Sequence, residues 1–192
     1  MAENYVGMGI ISSNAGAGTI GFLGLMNTFV PLELVSKIVD WNRKRNNLEF
    51  DDELEEKLLG EELSEYWEAD TIVGKLDSIC DTFFVGVGTL AKSAKNLEAV
   101  EGEFLNYLQF NLTDFMSRML AEGYSSNKTI KAIHKGLEIV LEANEQKLAT
   151  KNKDGKVTKP KGFIPPEQKL EKMLKELKEE AEIPPHMQPR GM

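Results

Sequence analysis

From Asp52 to Leu90 the chain carries two consecutive apolar arcs at helical spacing, parted only by a short polar step at Asp70-Thr71. Successive residues turn by about 100° around a helix axis. On that count Leu54, Leu58, Leu59, Leu63, Tyr66 and Ala69 define one arc, and Ile72, Val73, Leu76, Cys80, Phe83, Phe84, Val87 and Leu90 define the next. Two helices with so short a connection fold back as antiparallel neighbours. No strand-period alternation is sustained anywhere in the chain, so the expected class is all-α: a helical bundle of about five helices with a four-helix core.

The same stretch concentrates carboxylates in EELSEYWEADTIVGKLDSICD, residues 61–81. Glu62 falls inside the first arc, beside Leu58 and Tyr66, and Glu65 lies at its edge. A carboxylate on a core-facing stripe is costly unless it is paired or ligated. Asp77 and Asp81 form an i, i+4 pair on the margin of the second arc, which they share with Gly74 and Gly88. Glycine weakens a helix, so its place beside both aspartates points to a backbone or a substrate approaching closely. Four carboxylates brought together repel one another, whereas hard oxygen donors of this kind suit Mg²⁺ or Mn²⁺. No inward histidine accompanies them, which argues against a di-iron bundle of the Glu-x-x-His type. Glu61 and Glu68 lie further round and can be solvated. The other reading of the whole stretch is an ordinary acidic face turned to water.

Around this centre the chain divides by texture. Residues 1–27 are rich in Gly, Ser and Asn and read as a flexible or loosely packed arm. Their GAGTIG run lacks the GK[ST] of a phosphate loop. A first helix is expected from Pro31, with Leu34, Val35, Ile38, Val39 and Trp41 on one face. The acidic helix starts at Phe50-Asp51-Asp52, with Glu55 in a capping-box-like position, and its partner spans about Thr71–Leu90. A further helix over about 101–122 ends at Gly123. Ser125 or Ser126 caps the next, where Ile130, Ile133, Leu137, Val140 and Leu141 are the buried stripe. Residues 28–150 are thus expected to form one helical domain, the candidate catalytic domain if the acidic stretch holds a metal ion. Residues 151–166 are a basic, turn-rich loop with Asp154-Gly155 as the strongest turn signal. Residues 167–192 are a charged helix over 167–182 with a disordered tail.

On the Ser125-capped helix Asn144 falls within the buried stripe, and Lys147 and Lys151 follow along its edge. A buried amide needs partners, and lysines there face an acidic site or an anionic substrate. The alternative is a polar helix end. His134, on the margin of the same helix, reads as packing or surface rather than as a base.

The net charge of -8 opposes binding to a nucleic-acid polymer, which requires a basic face. The single cysteine, Cys80, excludes an intramolecular disulfide and fits a reducing cytoplasm. No stretch reads as a membrane span or a signal peptide, so no membrane partner is expected.

EELSEYWEA followed by LDSICDTFFVGVGTL resembles the EExxE…D-x-L-x-D-x-x-Y-V-x-x-G pattern of the all-α nucleoside triphosphate pyrophosphohydrolases. This superfamily includes MazG-like enzymes, phosphoribosyl-ATP pyrophosphohydrolase and the dimeric dUTPases. EANEQKLATKNKDGKVTKPKGFIPPE is similar to the E-x-x-N-x-x-K…DGK…KP…PP segment of a phosphoribosyl-ATP pyrophosphohydrolase-like branch common in phages. Together the two motifs span about residues 27–166. The resemblance implies Mg²⁺-dependent cleavage of a (d)NTP between its α and β phosphates, in the cytoplasm of a bacterium or of a phage-infected host. It implies Glu62, Glu65 and Asp81 as metal ligands with Asp77 as the fourth, and Glu61 as a second-metal ligand or the residue orienting the attacking water. It also implies substrate contacts from Asn144 and Lys147, then Lys151, Lys156 and Lys159, and a homodimer or homotetramer. Two positions depart from the pattern. Ser78 stands where many relatives carry the Glu of Glu-x-x-Asp, and Phe84 stands for the tyrosine. A strict dUTPase or dCTPase of the same fold, and a non-catalytic acidic helical interaction protein, are the alternatives.

Overall fold

The structure is a computed structural model and describes residues 17–92 and 103–180. Seven helices form among them: α1 (Ala17–Phe29), α2 (Leu32–Lys44), α3 (Asp52–Glu68), α4 (Ile72–Lys92), α5 (Glu103–Ala121), α6 (Ser126–Glu145) and α7 (Glu167–Glu179). The chain is an all-α bundle, as its periodicity requires. No single helix among the described residues is long and apolar enough to cross a membrane.

α4 is the axis of the bundle. It buries Leu76, Ile79, Cys80, Phe83, Phe84, Val87 and Leu90 and is touched by α2, α3, α5, α6 and α7. A helix that is apolar nearly all round has no other stable place than the interior.

The N-terminal arm expected over residues 1–27 is corrected for its second half. Residues 17–29 are helical, and Phe22 and Met26, with Val30 just beyond, belong to the core. Their i, i+4, i+8 spacing puts three large apolar groups on one face, which outweighs the local cost of the glycines. The Phe22 ring lies against Phe83 and edge-on to Phe104, with centroids 6.3 and 5.7 Å apart. Gly86 makes room for it, since a Cβ there would stand 2.5 Å from Phe22 Cζ. Residues 1–16 lie outside the described residues.

α3 begins one residue earlier in its capping than the sequence suggests. Asp51, not Asp52, accepts the Leu54 N–H at 3.1 Å. Glu55 takes no part in a capping box and is buried instead. Gly123, at φ +88°, ends the turn after α5, and Ser125 caps α6.

α7 is docked. Leu170, Met173, Leu174 and Leu177 are buried, and Tyr124 Oη donates to the Leu174 carbonyl at 3.1 Å. Ion pairs such as Lys169–Glu142 (2.7 Å) rim the contact. Each buried side chain contributes about 1.5–3 kcal/mol, against about 0–1 for an exposed ion pair, so the apolar face holds α7 and the charges orient it. The disordered tail expected at the C-terminus lies outside the described residues.

Between α6 and α7 the basic loop forms a small hairpin. Lys151 and Val157 make an antiparallel bridge, and Asn152 Oδ1 accepts the N–H groups of Asp154 and Lys156 at 3.0 and 2.9 Å. Gly155, at φ +79°, supplies the left-handed residue that the turn requires.

Candidate functional site

α3 and α4 run antiparallel, and the end of α2, the end of α6 and the hairpin close over their shared face. A cleft of about 280 Å³ results. Glu61, Glu62 and Glu65 enter it from α3 and Asp81 from α4, while Lys147, Lys156 and Lys159 face them. Leu54 and Leu58, placed by periodicity in the core arc, are half-buried and line this cleft instead. Leu59 and Tyr66 are the α3 residues that reach the core.

Glu62 is half-buried and its backbone is fixed from the facing helix. Ser78, itself buried, donates its hydroxyl to the Glu62 carbonyl at 2.7 Å. Burial, and then the charges of Asp81 and Glu65, push the Glu62 carboxyl up to about 8, with Lys147 and Lys156 pulling the other way. Burial likewise raises Asp81, to about 6, and Lys147 limits that rise; the Asn144 side chain acts in the same direction. Lys147 is held below the usual lysine range by burial, against the pull of Asp81. The basic and acidic groups therefore sit in one desolvated field, as at sites built to handle charge.

Asp77 stands apart. It is half-buried, does not line the cleft, and keeps one carboxylate oxygen buried without a hydrogen-bond partner. Burial raises it to about 8, followed by Asp81 and by Glu167 in the first turn of α7. Its place as a fourth member of the acidic set is thus behind the cleft, toward α7. Among the described residues no three acidic, histidine or cysteine side chains stand close enough together to hold one ion. Like-charge repulsion opposes their closer approach. The donors nonetheless fit a hard divalent cation in kind, being carboxylate oxygens that share one field and include one orphaned oxygen.

Asn144 is buried. Its Nδ2 donates to the Val140 carbonyl at 2.9 Å, and its Oδ1 has no partner. The end of α6 that carries it is clamped by α2. Trp41 Nε1 donates to the Asn144 carbonyl at 2.9 Å, and the buried Arg45 donates to the carbonyls of Glu145 (3.0 Å) and Lys147 (3.1 Å). The last carbonyls of a helix lack intrahelical donors, and the Arg45 guanidinium supplies them while stacking on Trp41, 4.4 Å from the ring centroid.

The remaining basic residues separate. Lys156 pairs with Glu61 across the cleft. Lys159 lines the cleft and lies over the Phe163 ring. Lys151 is exposed in the hairpin bridge and is not among the residues that line the cleft, so the structure does not bring this expected substrate contact to the others. His134 packs with Nε2 3.4 Å from the Thr28 carbonyl, away from the cleft.

Five residues in or beside the cleft escape the sequence reading or change role. Trp41 reads only as a stripe residue and Glu55 only as a cap, while Asn42, Asn47 and Lys92 carry no local signal. Glu55 contacts Lys92 across 37 positions, a pairing that helical periodicity cannot reveal.

No family model, no curated protein and no solved structure matches this chain.

Proposed function

We propose that the chain is a Mg²⁺-dependent nucleoside triphosphate pyrophosphohydrolase that converts a (d)NTP to the (d)NMP and pyrophosphate. One observation carries the reading: Glu62, Glu65 and Asp81 share a single cleft with Lys147, Lys156 and Lys159. An acidic face alone would repel a triphosphate, and a basic face alone could not hold a divalent cation. Their apposition suits a substrate that arrives with the ion.

Glu62, Glu65 and Asp81, with Asp77 behind them, would hold Mg²⁺ or Mn²⁺. When bound, the ion supplies charge neutralisation and Lewis acidity at the phosphates. Lys147 and Lys156 face the polyphosphate and balance its charge as pyrophosphate departs. Glu61, held by Lys156 in the free protein, becomes available to orient the attacking water once Lys156 turns to a phosphate. Asn144 offers its unpartnered Oδ1 to a donor on the substrate. Burial of Glu62, Asp81 and Lys147 keeps bulk water from these three and so strengthens their interactions.

A panel of NTPs and dNTPs incubated with Mg²⁺ and assayed separately for pyrophosphate and orthophosphate tests this. Pyrophosphate with the matching monophosphate is the expected result. Orthophosphate alone, or no product from any nucleotide, overturns it.

A further inference from the structure

The cleft changes chemistry along α4. Asp81, Phe84, Gly88 and Lys92 follow one another on the face that lines it. From first to last they rise about 16 Å at 1.5 Å per residue, a span that accommodates a mononucleotide. The carboxylates occupy one end. In the middle Phe84 meets Trp41 edge to face, with centroids 5.0 Å apart. The far end is polar: the Lys92 and Glu55 side chains and Asn42 are buried there, and Asn47 is half-buried.

There the Lys92 side chain is 5% exposed and that of Glu55 1%. Lys92 Nζ donates to Glu55 Oε1 at 2.5 Å, and Thr89 Oγ1 donates to Glu55 Oε2 at 2.6 Å. Beside them Asn42 donates to the Ile38 carbonyl at 3.0 Å and accepts from Asn47 Nδ2 at 2.8 Å. These bonds fix the Asn42 amide. Gly88 is what admits it, because a Cβ there would lie 3.2 Å from Asn42 Nδ2. A buried ion pair is a poor source of stability compared with apolar packing. Its lysine sits in the wall of a cleft with two amides and two aromatic rings, with Glu55 behind it, the composition of a site that reads a flat, polar ligand.

We infer that this end is a nucleobase subsite, in which Lys92, backed by Glu55, selects a base presenting a carbonyl oxygen, as guanine, uracil and thymine do, over adenine, which presents none. A lysine ammonium has donors and no acceptor, so it rewards an acceptor atom. One of its donors is already committed to Glu55, which keeps the group aimed. Asn42 and Asn47 each retain an N–H for the ring edge. The inference rests on the triphosphate reading of the acidic end.

The test is calorimetric binding of GMP, UMP, AMP and pyrophosphate, in Mg²⁺, to the native protein, to Lys92→Met and to Glu55→Gln/Lys92→Met. The double variant is included because Lys92→Met strands a buried carboxylate. Circular dichroism establishes that each variant is folded. The native protein should favour GMP or UMP over AMP by on the order of tenfold or more, the worth of one charged hydrogen bond. The folded double variant should bring that ratio to within about twofold while leaving pyrophosphate affinity unchanged. An unchanged ratio in the double variant, or a native preference for AMP, overturns the inference and spares the triphosphate reading. Binding of neither nucleotide nor pyrophosphate by the native protein overturns both.

Discussion

Ser78 Oγ donates to the main-chain carbonyl of Glu62 at 2.7 Å, so a side chain on α4 holds the backbone that carries the principal acid of α3. Many members of the superfamily that this sequence resembles carry a glutamate at that position. Here it is buried, and its short hydroxyl sets the distance between two helices. Ser78→Ala should cost about 1 kcal/mol, one hydrogen bond to a carbonyl. Ser78→Glu should cost at least about 2 kcal/mol by overpacking and by burying a charge, with no gain in Mg²⁺ affinity. Urea midpoints and calorimetric titration with Mg²⁺ check both, and a Ser78→Glu protein that is stable and binds the ion more tightly would refute the assignment.

Glu62→Gln and Asp81→Asn separate stability from activity. Each should lower turnover by on the order of a hundredfold or more, the scale of several kcal/mol of lost charge stabilisation. At about pH 8.5 each should also raise the thermal midpoint of the metal-free protein, because a neutral amide replaces a desolvated carboxylate. Native-like turnover in either variant removes that residue from the site.

The acidic cluster should also make stability depend on pH in an unusual direction. Burial holds the Glu62 and Asp77 carboxyls up to about 8 and that of Asp81 up to about 6. Each binds its proton more tightly in the folded chain than in the unfolded one, where values of about 4 apply. The stability they contribute is therefore complete below about pH 4 and is lost as pH rises toward about 8. In a chelator the thermal midpoint should fall from about pH 5 to about pH 8.5, and millimolar Mg²⁺ should restore more of it at the upper end, where the ion no longer competes with protons. A midpoint that climbs over this range in the chelator would contradict the burial of these groups.

Arg45 is expected to be indispensable for the geometry of Lys147. Arg45→Ala leaves several buried carbonyls without donors and should cost about 2–3 kcal/mol. Arg45→Lys should recover little, since an ammonium cannot span two carbonyls and stack on Trp41 as the planar guanidinium does. Thermal unfolding measures the first effect. A fall in kcat alongside it, in protein that is still folded, reports displacement of the α6 terminus.

α1 is as much core as the helices around it. Gly86→Ala should destabilise by about 1–3 kcal/mol through collision with the Phe22 ring, and Phe22→Ala by about 3–5 kcal/mol through the cavity it leaves. Denaturant unfolding of either variant with no change in midpoint would place α1 outside the cooperative unit.

Legibility in the sequence depends on whether a residue's partner is near in the chain. Glu62 declares itself because an angle count sets it among leucines on its own helix, and Asn144 does so for the same reason. Ser125 and Gly123 are readable because caps and turns are chosen by local chemistry. Phe22 and Met26 are hidden by the Gly, Ser and Asn around them, although their spacing is the correct signal. Leu54 and Leu58 share an arc with Leu59, and periodicity gives a face without saying whether core or cleft lies against it. Glu55 misleads because an acid near a helix start has an inexpensive local explanation, while Lys92 belongs to another helix. Asp77 shows its face in the sequence but not that α7 abuts it.

Arg45 reaches the Lys147 carbonyl across 102 residues of chain. Contacts of such separation form only after the intervening segments have been brought to order, because closing a long loop is entropically opposed. The acidic hairpin of α3 and α4 is local and can assemble early, whereas its basic counterpart arrives with the closing of the α2–α6 clamp. If folding follows this order, the carboxylates gather before their lysines do, and under the proposed reading Mg²⁺ present at that stage would favour the closed acidic hairpin before any substrate is met.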